Sequence, residues 1–473
     1  MRGLREFLAF LEAEHPEEVV RIRQPIDPKA CEATGFQEYL ARRRRYPWLV
    51  FERVIGVDGS PWPGFFATYA NTSIRRIAIA FGLDPSKCTP ADVARKHADA
   101  LRRPSSPRLV ARTEAPVKEV VWRGGEASLA PLPFFRNAEN DSGPGWITPM
   151  YVARDPEDGR YNLSWHRGQY VDAHHMTARF VQGGHFHQFF QKARAAGKPL
   201  PCVAVVGHHP VFCDACGTNF PASVDEYEAV SGVYQACTGE PLRVAPSELW
   251  GDELLVPADA EIVLEGYMLD QYQEAGPWSD FWWSYLPPQR MNQFRVEAIT
   301  MRREPIFLSV WPPTEVEINY TSVVLDLLRS AYPSVRKVHL PFPQTLIISY
   351  RPSAPGEPFH LAASLFRLGP EYVKNIIVVD EDVDPFDLEQ VFFSLATRVD
   401  ARKRVQVVPV MSHWNDPSAT EETVGGLIID ATRPSLDPRF EIGKPPAAAI
   451  ERAAAYFSEE VLARIPMGSR FNW

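Results

Sequence analysis

The order of strand-like and helix-like segments changes twice along this chain, and this limits the available folds more than any other feature. Up to residue 115 the two kinds of segment mix, beginning with a helical pattern of apolar residues at Leu4, Phe7, Leu8 and Leu11. From residue 116 to about 310 the chain has short strand patterns, punctuated by proline and glycine. From residue 320 strands and helices alternate again. The sequence therefore predicts three domains.

The predicted fold class is α/β, as an α+β multi-domain chain. We expect an N-terminal α/β domain over residues 1–115, a central β-barrel-like domain over 116–310, and a C-terminal layered α/β domain over 320–473. A length of 473 residues is enough for several separate cores. The last domain ends in a predicted helix that starts at Ala447 and suits packing on this domain or on a neighbouring subunit.

The charge balance argues against a nucleic-acid-binding protein. The chain has 50 Lys and Arg against 59 Asp and Glu, a formal net charge of −9, whereas nucleic acid selects a basic face. The run Arg42 to Arg45 is the basic cluster of note and suits a solvated helix face. No apolar run approaches the roughly 18 residues needed to cross a membrane, and charges interrupt the opening segment. We expect a cytoplasmic protein without a membrane partner.

Six cysteines in 473 residues do not form a disulfide framework. Cys213 and Cys216 form one CxxC pair, but no second pair and no Cys-His partner at zinc-finger spacing accompanies it. Neither a zinc site nor a redox centre is predicted there.

The segment NLSWHRGQYVDAHHMTARFVQGGHFH, residues 162–187, is the strongest candidate for a functional site. It contains five of the twelve histidines. Asn162, His185 and the more distant Glu226 could supply an amide oxygen, an imidazole and a carboxylate, a set that suits Mn²⁺ better than a structural zinc. Arg167 offers a planar fork of donors for a carboxylate or phosphate. A histidine-rich loop with satisfied hydrogen bonds is the alternative interpretation.

Motifs in nearly all of the chain carry a resemblance to a known family. They are, in order, LREFLAFLEAE, NTSIRRIAIAFGL, SGPGWIT, NLSWHRGQ, DEYEAVSGVYQACTGEPL, LLVPADAEIVLEGY, FRVEAITMRREPIF, IIVVDEDVD, ATRVDARKRV and GGLIIDAT. Together they resemble the UbiD-type decarboxylases, which depend on prenylated flavin mononucleotide (prenylated FMN). The resemblance implies that the central domain is a split-β-barrel-like domain that binds this flavin, and that the C-terminal domain mediates oligomerisation.

The resemblance also implies the residues that bind the cofactor. Asn162, His185 and Glu226 would bind Mn²⁺ or a similar divalent cation that bridges to the flavin phosphate, with K⁺ as a further ion. The positions that line the flavin would be Thr148, Trp165, His166 and Arg167, and Gly184 would let the backbone approach it.

Three residues are the candidates for catalysis. Arg167 matches the family's active-site arginine and would orient the substrate carboxylate. Asp280 matches the acid that returns a proton to carbon, and burial would raise its pKa toward that of a general acid. Its desolvation would come from Trp278, Phe281, Trp282 and Trp283. Glu274 is a candidate helper, because the family's other acid falls on Ala275 in this sequence.

A second departure from the family lies in GGLIIDAT. Gly426 stands where a lysine often contacts the flavin phosphate, so phosphate binding would depend more on the cation.

The expected function is the reversible, non-oxidative decarboxylation of an aromatic, heteroaromatic or α,β-unsaturated carboxylic acid, releasing CO₂. A flavin prenyltransferase would supply the cofactor, and a homo-oligomer, a dimer or a hexamer, is expected. Two alternatives remain. One is a flavin-free metalloenzyme that uses Asn162, His185 and Glu226. The other is a non-catalytic or partner-dependent subunit of a larger carboxylase assembly, which the departures at Ala275 and Gly426 would favour.

Overall fold

The computed structural model describes residues 2–280, 284–310, 318–366, 373–412, 416–419, 422–435, 437–442, 446, 448–449 and 451–452. The N-terminal part consists of α1 (Leu4–Glu14), β1 (Val19–Ile22), α2 (Glu32–Ala41), β2 (Trp48–Phe51), β3 (Phe65–Ala67), α3 (Ile74–Ala80) and α4 (Pro90–Ala100). All four apolar residues that predicted α1 are buried.

The central part contains most of the strands of the chain's described residues. It also contains the two helices whose first residues, His185 and Glu226, lie at the candidate site. Its elements are β4 (Arg108–Leu109), β5 (Val120–Arg123), β6 (Trp146–Ile147), β7 (Met150–Arg154), β8 (Tyr161–Trp165), β9 (Gly168–Gln169), β10 (His175–Ala178), α5 (His185–Ala195), β11 (Leu200–Val206), α6 (Pro210–Ala215), α7 (Glu226–Thr238), β12 (Arg243–Ser247), β13 (Gly251–Pro257), β14 (Ile262–Ala275), β15 (Trp278–Ser279), β16 (Tyr285–Leu286), β17 (Gln289–Met301) and β18 (Ile306–Leu308). The last of these strands pairs in parallel with β3 and so joins the N-terminal sheet, in the order β1-β2-β3-β18.

A seven-stranded sheet in the central part has the order β10-β17-β14-β11-β7-β8, with β5 also paired to β17. Apolar side chains of β11 enter two different cores. Val203 and Val205 lie in one core, and Cys202 and Ala204 lie in the other. Because successive side chains of a strand point to opposite faces, the sheet is covered on both faces. This explains the almost continuous apolar run of β11.

The expected barrel is not closed by a continuous ladder among the described residues, since β10 and β8 are the two ends of the strand order. An isolated antiparallel bridge between Arg167 and Arg179 joins the continuations of these edge strands. A second isolated bridge, between Tyr170 and Met176, joins the same two segments. The sheet is therefore open, and its two edges meet only through these isolated bridges among the described residues. One of the bridges lies at a predicted catalytic residue.

The C-terminal part confirms the predicted layered organisation. It consists of α8 (Ile318–Ala331), β19 (Val335–Phe342), β20 (Thr345–Tyr350), α9 (Glu357–Leu365), β21 (Asn375–Val379), α10 (Leu388–Arg398), α11 (Ala401–Arg404), β22 (Val405–Met411) and β23 (Thr423–Ala431). The sheet order is β19-β20-β21-β23-β22, with parallel pairing of β20, β21 and β23. The predicted helix from Ala447 lies almost wholly outside the described residues.

Some local patterns gave different elements from those expected. The segment SLAPLPFF, residues 128–135, reads as a strand but forms only an isolated bridge at Phe135, because its two prolines cannot donate to a ladder. The pattern over residues 37–45 predicted a helix, and α2 instead ends at Ala41. No helix in the described part of the chain combines the length and apolar character needed to span a bilayer.

Candidate functional site

The carboxylate of Glu226 is the point on which the candidate ligands converge. Its Oε2 accepts hydrogen bonds from Asn162 Nδ2 (2.9 Å) and from the backbone N–H of Leu163 (2.7 Å). Its Oε1 lies 2.9 Å from Nδ1 of His185. The structure thus brings together Asn162, His185 and Glu226, which are far apart in the sequence. We call these three residues the Glu226 cluster.

Two helix N-termini meet at the Glu226 cluster. His185 is the first residue of α5, and no side chain caps that helix at Gly184. Glu226 is the first residue of α7, where Asp225 accepts hydrogen bonds from two backbone N–H groups of the first turn. The other oxygen of Asp225 accepts from the backbone N–H of Tyr161 (2.9 Å), which ties α7 to β8. Because the N-terminal end of a helix carries partial positive charge, this arrangement favours anionic groups.

The partners of Glu226 fit a cation site. Glu226 is 3% exposed, and across the described ranges its only ion-pair partner is the imidazole of His185. Burying a carboxylate is costly unless the carboxylate is paired and hydrogen-bonded, and a bound cation would add to the pairing that Glu226 has. The described part of the chain contains no group of three His, Cys, Asp or Glu suited to a metal ion, but the amide oxygen of Asn162 provides a third candidate ligand beside His185 and Glu226. One amide, one imidazole and one carboxylate suit Mn²⁺ or a similar ion.

Ser164 and His166 extend the hydrogen bonds away from the Glu226 cluster. Ser164 Oγ lies 2.9 Å from Asn162 Oδ1 and 2.7 Å from His166 Nε2. The His166 ring contacts Tyr151, Phe180 and Phe186, with ring centroids at 5.6, 6.1 and 5.0 Å. Burial, with a smaller effect of the Arg179 charge, lowers the pKa of His166 to about 3. His166 is therefore a neutral imidazole at physiological pH.

Arg167 and Asp280 form the second group of the site. The Arg167 guanidinium donates from Nε to Thr148 Oγ1 (3.2 Å) and from Nη1 to the Ser279 carbonyl, and lies 3.7 Å from Asp280 Oδ1. Asp280 is 5% exposed. We call Thr148, Arg167, Ser279 and Asp280 the Arg167 cluster. The separation of 3.7 Å in this ion pair is longer than a hydrogen bond.

Asp141 holds the strand segment that presents Asp280, and the sequence reasoning did not identify it. Its carboxylate accepts hydrogen bonds from the backbone N–H of Ser279 and, at 3.0 Å, from the Ser279 hydroxyl. The backbone of Ser279 is thereby fixed where its carbonyl meets Arg167. The only local signal was the acid in the turn before SGPGWIT.

Arg179 is a second arginine at the site that the sequence reasoning did not identify. Its backbone N–H donates to the carbonyl of Arg167 (2.8 Å), and its Nε donates to Gln289 Oε1 (3.1 Å). Burial and the nearby charge of Arg167 lower the pKa of Arg179 to about 10, against the opposing effect of Asp280. The residue occurs in the histidine-rich segment, but its pairing with Arg167 depends on two edge strands meeting.

Glu274 is not brought toward Arg167 in this structure. Its side chain is exposed, whereas the adjacent Ala275 is 2% exposed and packs with Trp146 and Trp278. Since neighbouring side chains in a strand point to opposite faces, Glu274 in β14 lies on the face opposite Ala275. Its role as a helper stays a prediction that this geometry does not support. The expected contribution of residues 281–283 lies outside the described residues.

Trp165, the CxxC pair and Gly426 are the remaining positions that the sequence singled out. Trp165 donates from Nε1 to the carbonyl of Cys213 (2.9 Å), and Cys213 and Cys216 are buried free thiols. Gly426 lies inside β23, where a Cβ would approach a side-chain carbon of Val410 to 2.7 Å. A lysine at that position would therefore require its neighbours to move.

Two family models match consecutive parts of the chain. The Rift-related domain of 3-octaprenyl-4-hydroxybenzoate carboxy-lyase, UbiD, matches residues 108–315. The C-terminal domain of the same family matches residues 317–431. Together they account for more than half of the chain.

Relatives and solved structures agree with the family models. A phenolic acid decarboxylase of Streptomyces sp. (strain D7) is 30% identical over 455 residues, which is 91% of this chain and 92% of the relative. The structure of the UbiD-class enzyme HmfF from Pelotomaculum thermopropionicum in complex with FMN is 30% identical, with a TM-score of 0.85, and the match covers 96% of this chain and 100% of HmfF. An evolved dimeric form of HmfF in complex with prFMN is 28% identical, with a TM-score of 0.82, over 97% of this chain and 100% of HmfF. With the domain matches, these similarities show that the chain belongs to the UbiD family of carboxy-lyases.

Proposed function

We propose that this enzyme removes CO₂ from an aromatic, heteroaromatic or α,β-unsaturated carboxylic acid, reversibly and without net oxidation, with prenylated FMN as its cofactor. The observation that carries this proposal is that the Glu226 cluster and the Arg167 cluster each take one residue from β8 and its continuation. Asn162 and Arg167 are five residues apart in that stretch, so a cation-binding group and a carboxylate-binding group share one support. Relatives that are phenolic acid decarboxylases favour a phenolic acid.

The Glu226 cluster is the proposed site for Mn²⁺ or a similar divalent ion. The donor types, and the buried Glu226 carboxylate with its imidazole partner, support this assignment. The flavin would lie against Thr148, Trp165, His166, Arg167 and Gly184. When bound, the prenylated flavin supplies the electron sink for the electrons of the C–CO₂ bond, which protein side chains do not provide.

Arg167 is proposed to bind and orient the substrate carboxylate. Its hydrogen bonds to Thr148 and to the Ser279 carbonyl fix the plane of the guanidinium. A fixed fork holds a carboxylate in one orientation, and loss of a bond to CO₂ requires such an orientation. Asp280, 3.7 Å from Arg167, is proposed to hold the proton that is returned to carbon after CO₂ leaves. The buried pair Trp146 and Trp278, with ring centroids 5.3 Å apart, excludes water from the adjoining side.

A homo-oligomer is also proposed, formed through the C-terminal part. Large apolar side chains are exposed there on β22 and α10: Val407 at 72%, Met411 at 64% and Phe392 at 64%. An edge strand with exposed apolar residues favours association with another subunit. Light scattering on the purified protein, with Val407→Lys as the test variant, measures whether this surface is used.

Protein made beside a flavin prenyltransferase tests the main proposal. The purified protein is expected to show flavin absorbance and to release a species with the mass of prenylated FMN. It is expected to release CO₂ from at least one phenolic acid, whereas protein made without the prenyltransferase does not. A fully active preparation that contains no flavin contradicts the proposal.

A partner-dependent subunit is the alternative that one observation favours. The family acid is replaced by the buried Ala275, and the neighbouring Glu274 is exposed. If flavin-loaded protein is inactive alone and gains activity only with a co-purified second chain, this alternative replaces the first. Activity of the isolated chain excludes it.

A further inference from the structure

The hydroxyl of Ser164 lies between two groups that both have lone pairs to offer. Asn162 Oδ1 is 2.9 Å from Ser164 Oγ on one side, and His166 Nε2 is 2.7 Å away on the other. A serine has one O–H proton, so it can donate to one of the two groups and must accept from the other. The direction of this hydrogen-bond chain is therefore decided at its ends.

One end of the chain is His166. Its ring is 7% exposed, lies among aromatic side chains, and is neutral, so it carries a single N–H. The backbone N–H of Arg179 already donates to the Arg167 carbonyl (2.8 Å), so the hydrogen bond between the Arg179 backbone and this ring uses the Arg179 carbonyl as acceptor. Because Nε2 faces Ser164, a proton that serves the carbonyl lies on Nδ1. In that tautomer Nε2 accepts from Ser164, and Ser164 can only accept from Asn162.

The other end of the chain is the buried carboxylate of Glu226. In the structure the Asn162 amide presents Nδ2 to Glu226 Oε2 at 2.9 Å. This orientation makes Ser164 donate to Asn162 Oδ1, and it requires the His166 proton on Nε2. The carboxylate favours the amide nitrogen, whereas the Arg179 carbonyl favours the opposite direction. Two opposite directions of donation are therefore possible along the hydrogen-bond chain that runs from Glu226 through Asn162 and Ser164 to His166.

We propose that Ser164 and His166 are positioning residues that set the orientation of the Asn162 amide. With the His166 proton on Nδ1, the chain turns the amide nitrogen toward Ser164 and the amide oxygen toward Glu226. A divalent cation needs that oxygen, because an amide NH₂ has no lone pair to offer a hard ion. The inference rests on the proposed function, since it assumes that the Glu226 cluster binds a cation.

The test uses Mn²⁺ as the probe and the full chain as the protein. Binding is followed from the electron paramagnetic resonance signal of free Mn²⁺, with and without saturating FMN, so that no turnover is required. Ser164→Ala removes the hydroxyl from the chain and is expected to weaken Mn²⁺ binding by about 10–100-fold, the usual effect of losing a partner behind a metal ligand. Ser164→Thr retains the hydroxyl and is expected to bind Mn²⁺ like the unchanged protein.

His166→Phe gives an independent variant, because a phenyl ring suits the surrounding aromatic side chains. Without Nε2, Ser164 loses the acceptor that competes for its proton, so donation to Asn162 Oδ1 is favoured, and this keeps the amide nitrogen toward Glu226. Mn²⁺ binding is expected to weaken by a similar factor. The double variant Ser164→Ala with His166→Phe is expected to bind no more weakly than Ser164→Ala alone, since both changes interrupt one chain.

Ser105→Ala is the matched control, because Ser105 is part-buried and pairs with another hydroxyl, Ser231 Oγ, at 3.2 Å. It is expected to leave Mn²⁺ binding unchanged. Unaltered affinity in Ser164→Ala, or losses that multiply in the double variant, overturn the inference. If the unchanged protein does not bind Mn²⁺, the cation part of the proposed function fails instead, so the two failures are distinct.

Discussion

The Glu226 cluster and the Arg167 cluster each take one residue from the same stretch of chain, Asn162 and Arg167 respectively, but different kinds of contact hold the two clusters. The Glu226 carboxylate is fixed by hydrogen bonds of 2.7–2.9 Å from a strand amide, an asparagine and a histidine. The Arg167 guanidinium instead has a hydroxyl, a carbonyl and a carboxylate that is 3.7 Å away. The first cluster surrounds one buried anion with hydrogen-bond donors. In the second, the Asp280 carboxylate lies beyond hydrogen-bond distance of the Arg167 guanidinium.

Of the substitutions that test this comparison, Asp280→Asn is expected to have the largest effect on turnover. An asparagine retains the shape but cannot hold the transferred proton, so turnover should fall by roughly 10²–10⁴-fold, while Mn²⁺ binding at the Glu226 cluster is unchanged. Steady-state CO₂ release and Mn²⁺ titration measure the two effects. Asp270→Asn, at an exposed aspartate of β14 that pairs with Arg194, is the control. Unchanged turnover and unchanged incorporation of solvent deuterium would remove Asp280 from the mechanism.

Arg167→Lys is expected to have the next largest effect. An ammonium cannot contact Thr148, the Ser279 carbonyl and a carboxylate in one plane. Misplacement of the substrate on this scale should lower kcat/KM by about 10²-fold. Arg154→Lys, at another arginine that donates to a backbone carbonyl (Gly159, 2.8 Å), controls for the general effect of the change. Equal kcat/KM in both variants would show that Arg167 acts only as a charge.

Glu226→Gln tests the other cluster. The change removes the negative charge on which Asn162 and His185 converge, so Mn²⁺ affinity should fall by at least about 10-fold. Titration of FMN-loaded protein with Mn²⁺ measures this loss. Glu228→Gln changes an exposed acid in the same first turn of α7 and should have no such effect. If both variants bind Mn²⁺ equally, the cation lies elsewhere.

Glu274→Gln is expected to have the smallest effect. Its carboxylate is exposed on the face of β14 opposite Ala275, and such surface changes alter stability by less than about 0.5 kcal/mol. Turnover should remain that of the unchanged protein. A loss as large as that of Asp280→Asn would instead show that Glu274 reaches the Arg167 cluster during catalysis.

Local pattern predicted much of the fold. The helical spacing from Leu4 gave α1, the apolar run from Cys202 gave β11, and the alternation after residue 320 gave the C-terminal layers. Helices α4, α5 and α6 were not predicted from the sequence. For α4 a signal was present, since Thr89 and Asp92 form a capping box around Pro90. For α5 the histidines hid the pattern of Phe186, Phe189 and Phe190, which are buried at helical spacing.

The sequence by itself determined the family and the mixed α/β fold class, and it supplied the candidate groups for binding a cation or a carboxylate, because these depend on local periodicity and on residue types. Only the tertiary structure decided which of these groups meet. Glu226 reaches Asn162 because α7 begins beside β8, and Arg179 lies beside Arg167 because two edge strands touch. The pairing of β14 with β17, in which Glu274 is opposite Arg290 and Ala275 is opposite Gln289, decided that Ala275 points inward and Glu274 outward. A shift of register by one residue would exchange them, and no local pattern specifies a register between strands distant in sequence.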